Sequence, residues 1–304
     1  MSQPEGHPDL GRRLRRARRR GLFVGLRSLL RVVGFGQVRL IGRLTGLIQF
    51  HFARRQRRRI QQHMAHALGR SERETGPLLR EAYQVNNAAV LEILAMFDRH
   101  QDEAMLAGRC EIDGLDRLRT AMAGGRGAIL LATHAGNAAL LTVKLARAGW
   151  AVSVVYREAR MMSAGFVQEG LERYGIEGIL ANTGLRAYGQ MLSALKQGRI
   201  VFIMMDQGVR EAKDGLMERF LGKTVPMPTG PAQLARAARA PLLPVVTTAA
   251  WPQWKFRIDE PVAVGQETLE SDVHRLVRLT ERQILDFPQL WSWHQRRWRK
   301  PKLA

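Results

Sequence analysis

The stretch AILLATHAGNAALL, residues 128–141, has the pattern of a buried strand that opens into a helix. Five apolar residues lead through a threonine to His134, and a small-residue turn through Gly136 and Asn137 follows. An apolar run of this length, bounded by turn residues, is typical of a strand that is covered on both faces in a parallel sheet. We therefore expect His134 at the carboxyl end of a central strand, where open α/β sheets form their sites.

The rest of the chain alternates between short apolar runs and amphipathic stretches of about ten residues, which predicts βαβ units. Further strands are expected at residues 151–156, 178–180, 200–205, 242–248 and 255–258, and helices at 138–148, 162–174, 185–196 and 231–238. Residues 59–98 are predicted to be helical, with Gly69 ending one helix and Ser71 capping the next. The predicted fold class is α/β, with a mostly parallel central sheet flanked by helices.

The charge of the chain is strongly unbalanced, since 48 Lys and Arg face 27 Asp and Glu in 304 residues, a formal net charge of +21. Such an excess favours a polyanionic partner: nucleic acid, an anionic membrane surface or an acidic carrier protein. No recognition-helix, RNA-binding or zinc-finger motif accompanies the charge, so we predict no nucleic-acid partner. The single cysteine, Cys110, excludes a disulfide framework within the chain and is interpreted as a partly buried structural thiol.

Residues 21–53 are apolar but are interrupted by Arg27, Arg31, Arg39 and Arg43. On a helical wheel these arginines fall within an arc of about 160°. A basic stripe opposite an apolar face is typical of a helix that lies in a membrane interface and contacts anionic lipid. The alternative is a helix that covers the protein's own core and exposes a solvated basic face.

These patterns divide the chain into three parts. Residues 1–20 are predicted to be a basic disordered arm, and residues 21–108 a helical, membrane-associating N-terminal region with an interfacial helix. Residues 109–304 are predicted to form the α/β domain. The predicted membrane association is peripheral or monotopic, because the apolar stretch is too interrupted for a clean span.

A second predicted strand, IVFIMMDQG, ends in Asp206 and Gln207. If it lies next to the strand that ends at His134, the two side chains come within hydrogen-bond reach. A carboxylate on one imidazole nitrogen fixes the tautomer and leaves the other nitrogen to accept a proton. Taken alone, His134 is more typical of a core histidine, and Asp206 of a helix cap or an ion pair; the catalytic interpretation depends on the two occurring together. A third element, Thr229-Gly230-Pro231, starts a helix whose backbone amides can bind an oxyanion or a phosphate; the alternative is a rigid loop-to-helix junction.

These elements, in this order, resemble the bacterial lipid A biosynthesis (lauroyl/myristoyl) acyltransferase family, within the wider glycerolipid acyltransferase superfamily. The resemblance covers about residues 110–300. The matching blocks are the start of an H-x4-[DE] motif at His134-Ala135-Gly136-Asn137, a D-Q pair at Asp206-Gln207, a Y-R pair at Tyr156-Arg157, a P-T-G-P-A…L-A-R block from Pro228 to Arg236, and a Trp- and Arg-rich tail from Trp291 to Arg299.

The resemblance implies an O-acyltransferase domain that moves a fatty acyl group from an acyl carrier protein or coenzyme A thioester to a hydroxyl group. The implied acceptor is a glycolipid such as a lipid A precursor, or another lipid, and the implied location is the cytoplasmic face of the bacterial inner membrane. His134 and Asp206 would be catalytic. The substrate-binding residues implied are Gly136, Asn137, Arg157, Gln207, Thr229, Gly230 and Arg236. No cofactor and no metal are predicted, because the chain has no P-loop, dinucleotide fingerprint or zinc-ligand spacing.

One position departs from the family pattern, since Ala139 stands where H-x4-[DE] has its acid. Two interpretations remain open. Either Asp206 orients the imidazole from the neighbouring strand, or the chain is a catalytically degenerate member that keeps only a lipid- or carrier-binding role. In the tail, Trp291 and Trp293 are expected to pack on the sheet, His294 to be structural, and Arg296, Arg297 and Arg299 to contact lipid or phosphate.

Overall fold

The structure is a computed structural model that describes residues 21, 23–157, 164–209 and 215–294. The predicted basic arm at residues 1–20 lies outside these residues, and so do the tail arginines Arg296, Arg297 and Arg299.

Helices and strands alternate through most of the described chain. The helices are α1 (23–32), α2 (Phe35–Phe52), α3 (Arg54–Leu68), α4 (Glu72–Asp98), α5 (Glu103–Leu106), α6 (Leu115–Met122), α7 (Ala138–Arg147), α8 (Phe166–Glu172), α9 (Leu185–Lys196), α10 (Gly230–Ala238) and α11 (Leu269–Asp286). The strands are β1 (Cys110–Asp113), β2 (Ala128–Ala132), β3 (Val152–Tyr156), β4 (Glu177–Leu180), β5 (Ile200–Met204), β6 (Gly215–Phe220), β7 (Lys223–Pro228), β8 (Leu242–Ala249) and β9 (Trp254–Ile258). Short 3₁₀ turns lie at Ala181–Thr183 and Pro288–Leu290.

Seven strands form one sheet in the order β1-β9-β8-β2-β5-β3-β4. Neighbouring strands are parallel except for β8 and β9, which are antiparallel. Strand β2 lies near the middle and is buried along its whole length. The predicted α/β class, the mostly parallel sheet and the N-terminal helical region are confirmed.

The predicted strands agree with the observed ones to within a residue or so at their ends, but two features differ from expectation. Strand β1 was not predicted, and it begins at Cys110, where burial raises the pKa of the thiol to about 11. The β6–β7 hairpin was not predicted either, and it includes Pro226 and Pro228 in β7. Proline is tolerated in such a two-stranded ribbon because each strand has a free edge, where the missing N–H breaks no ladder bond.

The expected helix boundaries at residues 69–71 are confirmed. Gly69 ends α3 in the left-handed conformation, with φ +62°. Ser71 starts α4 with a capping box, in which its hydroxyl accepts from the Glu74 N–H and the Glu74 carboxylate accepts from the Ser71 N–H. From this cap, helix α4 runs from Glu72 to Asp98 and packs against α2, α3 and α8.

The arginines of α1 and α2 contact groups of the protein, although Arg31 and Arg43 remain exposed, so the stripe is not the fully solvated or lipid-facing one that their spacing suggested. Arg27 and Arg31 each donate from Nε to a different oxygen of Asp98, both at a distance of 2.5 Å. Arg39 is 7% exposed and faces Glu92, while Arg43 lies over the ring of Trp251 at 4.4 Å. The helical wheel identified correctly which residues share a face, but that face packs on α4 and the sheet.

The opposite face of α2 is apolar and exposed. Leu40, Leu44, Ile48 and Phe52 follow one another at four-residue spacing and are 56%, 51%, 57% and 83% exposed; we call these four residues the outer stripe. Helix α1 adds further exposed side chains at Val24, Leu29 and Val32. In the part of the chain that the structure describes, no helix combines the length and apolar character needed to cross a bilayer.

Two glycines explain how α2 fits against α4. A Cβ atom at Gly42 or Gly46 would overlap the α4 backbone at Ala88 and at Tyr83–Gln84. These glycines weaken the helix on its own but allow a close approach of the two backbones. The packing fixes the rotation of α2 and so keeps the outer stripe turned away from the protein.

Candidate active site

The ends of β2 and β5 bring His134 and Asp206 together. The two strands are parallel neighbours whose last paired residues are Ala132 and Met204, so each site residue follows its strand by two positions. The His134 Nδ1 atom lies 2.6 Å from Asp206 Oδ1. The expectation that these side chains come within hydrogen-bond distance is confirmed by this geometry.

Asp206 is fully buried and receives hydrogen bonds on both oxygens. Oδ1 faces the His134 ring, while Oδ2 accepts from the His134 backbone N–H at 3.1 Å and from the Trp291 indole N–H at 2.7 Å. A carboxylate only accepts hydrogen bonds, so the proton of a neutral His134 ring lies on Nδ1. Nε2 is then left with its lone pair, which is the form that a general base requires.

The second ring nitrogen of His134 faces Gln207. Gln207 Nε2 lies 3.0 Å from His134 Nε2, and with the proton on Nδ1 the amide is the donor. The His134 side chain is 31% exposed, in contrast to the buried Asp206. Gln207 therefore occupies the position from which a substrate hydroxyl would donate to the same lone pair.

The turn after His134 is held from several sides. Gly136 adopts φ +60°, and a Cβ atom there would stand 2.7 Å from the Trp254 ring. Its N–H donates to Leu290 O at 3.0 Å, so this amide is not free to bind an oxyanion. Thr247 Oγ1 donates to Ala135 O at 3.0 Å. Gly136 thus shapes the turn, and its substrate-binding role stays a prediction.

The Asn137 side chain forms two hydrogen bonds within the protein. It is completely buried, with Oδ1 accepting from the Leu140 N–H at the start of α7 and Nδ2 donating to Glu92 Oε2. Both polar groups of the amide are therefore engaged within the protein and hold the turn, and the substrate-binding role of Asn137 stays a prediction.

The C-terminal segment completes the site. Ala135 and Trp291 form an isolated antiparallel bridge, and the Ser292 N–H donates to His134 O at 2.9 Å. Trp291 and Trp293 are 1% and 2% exposed, as expected from their predicted packing on the sheet. The bond from Trp291 to Asp206 was not predicted. The available signal was general: a buried indole N–H usually finds an acceptor, but the sequence does not say which one.

Replacing Trp291 with phenylalanine removes the indole N–H that donates to Asp206 Oδ2, so the position of this carboxylate is expected to be less well fixed. A hydrogen bond to a charged group contributes about 1.5–3 kcal/mol, so the free energy of unfolding should fall by about that much. If acyl transfer depends on this carboxylate, its rate should fall about tenfold, the equivalent of about 1.4 kcal/mol. Trp293→Phe is the matched control, because the Trp293 indole donates to Pro288 O instead. Equal losses of transfer in the two variants would contradict the assignment.

The remaining predicted site residues lie in three places. Arg157 is exposed and follows β3 at the same edge of the sheet as His134. Thr229 and Gly230 start α10, and the hairpin before them is tied to the segment after Gln207 by the bond from Val209 N–H to Pro226 O, 2.9 Å. Arg236 donates to Asp272 Oδ2 at 2.5 Å and to Glu267 O, so its guanidinium group is engaged within the protein, and its substrate-binding role stays a prediction.

The two ring nitrogens of His294 are buried beside Tyr83, with ring centroids 4.3 Å apart, and neither nitrogen has a hydrogen-bond partner among the described residues. Burial lowers the pKa of His294 from 6.5 to about 4. Between these values the unfolded chain binds a proton that the folded chain does not. The free energy of unfolding should therefore fall as the pH drops from about 6.5 to about 4, by about 3 kcal/mol from this residue.

His294→Phe is expected to remove this part of the pH dependence, as measured by denaturant unfolding at pH 7 and pH 4.5. His51→Phe, at an exposed site, is the control. The same pH dependence in wild type and His294→Phe would show that the buried ring does not carry the effect.

A histidine hydrogen-bonded to a buried carboxylate lies here at the carboxyl edge of a mostly parallel sheet. In an α/β protein this arrangement is suited to proton abstraction. The chain belongs to the bacterial lipid A biosynthesis acyltransferase family, whose sequence model matches residues 12–300. The resemblance noted from the motifs is thereby confirmed. The chain is also 28% identical over 190 residues to a phosphatidylinositol mannoside acyltransferase of Mycobacterium tuberculosis. This match covers 62% of the chain and 59% of that relative.

Proposed function

We propose that this protein is an O-acyltransferase that moves a fatty acyl group from a thioester donor to a hydroxyl of a glycolipid or related lipid. The observation that carries the proposal is the contact of His134 Nδ1 with the buried Asp206 carboxylate, which leaves Nε2 as the proton acceptor of a side chain that is 31% exposed. Family membership supports the reaction class. The donor is a thioester of an acyl carrier protein or coenzyme A, and the acceptor is a lipid A precursor or another lipid alcohol.

In the proposed reaction the acceptor hydroxyl replaces the Gln207 amide at His134 Nε2. As the oxygen attacks the thioester carbonyl, its proton moves to Nε2, and Asp206 stabilises the resulting imidazolium. The tetrahedral intermediate collapses with loss of the thiolate, which receives the proton from Nε2. The oxyanion is placed near the first turn of α10, because the initial N–H groups of a helix have no partner within it. Arg157 is assigned to a phosphate group of donor or acceptor.

The proposed location is the surface of an anionic membrane, at its cytoplasmic face, with α1 and the outer stripe of α2 inserted at headgroup depth. Helix α3 begins two residues after Phe52, carries five arginines between Arg54 and Arg59 and contains no acidic residue. An apolar stripe followed directly by a cationic cluster matches the two parts of an anionic lipid surface. Unlike the basic stripe first considered, this arrangement places the apolar side chains and the cations on neighbouring helices.

The test is acyl transfer by wild type and His134→Ala, with labelled palmitoyl-coenzyme A and palmitoyl acyl carrier protein as donors. The acceptors, presented in phosphatidylglycerol-containing vesicles, are a lipid A precursor, a phosphatidylinositol mannoside and a long-chain alcohol. We expect transfer by wild type to at least one acceptor and a loss of about 10²–10⁴-fold in His134→Ala. Ala139 favours one competing proposal, a non-catalytic lipid- or carrier-binding member. That proposal is supported if wild type binds vesicles or carrier but transfers no acyl group.

A further inference from the structure

A second buried carboxylate lies outside the His134–Asp206 pair. Glu92, in the second half of α4, is 1% exposed, and its Oε2 atom accepts two hydrogen bonds. One comes from Asn137 Nδ2 at 3.0 Å and the other from the Trp254 indole N–H at 2.6 Å. Both donors belong to other elements, so this carboxylate joins α4 to the turn after β2 and to β9.

Both partners of Glu92 act on the turn that carries His134. Asn137 is three residues after His134 and is held at both ends of its amide, by Glu92 and by the Leu140 N–H. The Trp254 ring lies against Gly136, which directly precedes Asn137 and whose left-handed backbone shapes the turn. A change at Glu92 therefore reaches His134 through two separate contacts.

Arg39 of α2 provides the charge that accompanies Glu92. Its Nε atom lies 3.9 Å from Glu92 Oε1, and its guanidinium group lies over the rings of Trp251 and Trp254 at 4.8 and 4.9 Å. Burial of one unpaired charge is costly, and a buried carboxylate is retained when it is paired and hydrogen-bonded. The arginine thereby ties the turn to the helix that carries the outer stripe.

We propose, building on the acyl transfer proposed above, that Glu92 is a positioning residue that holds His134 in register with Asp206 and the acceptor hydroxyl. The acid that the family motif has after its histidine is Ala139 here. Two carboxylates from other elements orient His134 in its place: Asp206 fixes the imidazole ring, and Glu92 fixes the backbone turn that carries it.

The test compares Glu92→Ala with Asp272→Ala. Asp272 is also a fully buried carboxylate next to an arginine, but its Oδ2 atom accepts from Arg236 of α10 and from the Gly265 N–H before α11, and not from the His134 turn. In Glu92→Ala we expect kcat to fall about 100-fold with KM nearly unchanged, as for a misplaced catalytic group. Hydrogen exchange, followed by mass spectrometry, should accelerate selectively in the peptide covering residues 133–140. Asp272→Ala should change neither kcat nor the hydrogen exchange of this peptide.

Conservative variants keep the test informative if Glu92→Ala folds poorly. Glu92→Gln retains an oxygen that accepts from Asn137 and Trp254, so it should restore most of kcat and the slow exchange. Asn137→Ala leaves the Glu92–Arg39 pair in place and should reproduce the exchange change of Glu92→Ala, and the double variant should add little to either.

The exchange readout does not depend on a substrate, so it separates this inference from the proposed function. If wild type transfers no acyl group, but exchange in residues 133–140 still accelerates in Glu92→Ala, the positioning role stands and the acyltransferase proposal fails. Unchanged exchange in that peptide, or equal losses of kcat in the Glu92 and Asp272 variants, overturns the inference.

Discussion

Asp206→Asn is expected to lower kcat for acyl transfer by about 10²–10⁴-fold, the range attributed to a general base. In the native protein Oδ2 of Asp206 accepts two N–H groups, from the His134 backbone and the Trp291 indole, while Oδ1 accepts from the His134 ring. An asparagine would place its oxygen where two donors meet. Its NH₂ group would then face His134 Nδ1, which forces the ring proton onto Nε2 and removes the lone pair that accepts the substrate proton.

The matched control is Asp272→Asn, which alters another fully buried carboxylate paired with an arginine. Both variants are compared with His134→Ala by initial rates at saturating donor, and folding is checked by circular dichroism. The assignment of Asp206 fails if Asp206→Asn transfers acyl groups at the wild-type rate while His134→Ala is inactive. In that case another group orients His134, or none is needed.

The central contact of the site could be predicted because parallel strands bring their carboxyl ends to the same edge. His134 and Asp206 each follow an apolar run that predicted a buried strand, and the proximity of the side chains followed once those strands were taken as neighbours. Helix ends marked by Ser71 and Gly69 were equally accessible, since capping depends on residues within one turn.

Contacts made over long sequence separations could not be predicted in the same way. Trp291 is 85 residues from Asp206, and Glu92 is 45 residues from Asn137. Nothing local in the sequence indicates which buried acceptor a given N–H will meet. For the same reason Asn137 and Arg236 were interpreted as substrate-binding residues, although their partners lie within the protein.

The orientation of α2 illustrates a limit of helical periodicity. Periodicity shows that Arg39 and Arg43 share one face and that Leu44 and Ile48 share the other, but it does not show which face is covered. The contact with Glu92 places Arg39 on the covered face, and the close approach of α4 at Gly42 fixes the orientation of the whole helix. An arginine on an amphipathic helix therefore indicates lipid or solvent only where the protein offers it no buried carboxylate.

The exposed face of α2 leads to the second large expected effect. The double variant Leu44→Glu/Ile48→Glu should bind vesicles of phosphatidylglycerol and phosphatidylethanolamine about 10²–10⁴-fold more weakly than wild type in a sedimentation assay. Full burial of such a side chain contributes about 1.5–3 kcal/mol, and Leu44 and Ile48 are already about half buried, so removing both forfeits about 1.5–3 kcal/mol of apolar binding free energy. Repulsion of the two introduced carboxylates by anionic lipid adds about 1 kcal/mol each, which together gives the expected range. The protein should remain folded, because both side chains are more than half exposed.

Leu185→Glu is the matched control for this experiment, since Leu185 is 90% exposed but begins α9, which packs with α10 and β5 and not with α2. Vesicles of phosphatidylcholine alone separate the two parts of the surface: they keep the apolar contribution and remove the attraction of the α3 arginines, which is screened by salt in any case. If the double variant binds anionic vesicles as tightly as Leu185→Glu does, the outer stripe is not the membrane contact. The cations of α3 would then have to hold the protein at the surface without insertion, and that binding would disappear at high ionic strength, whereas an inserted stripe retains its apolar share.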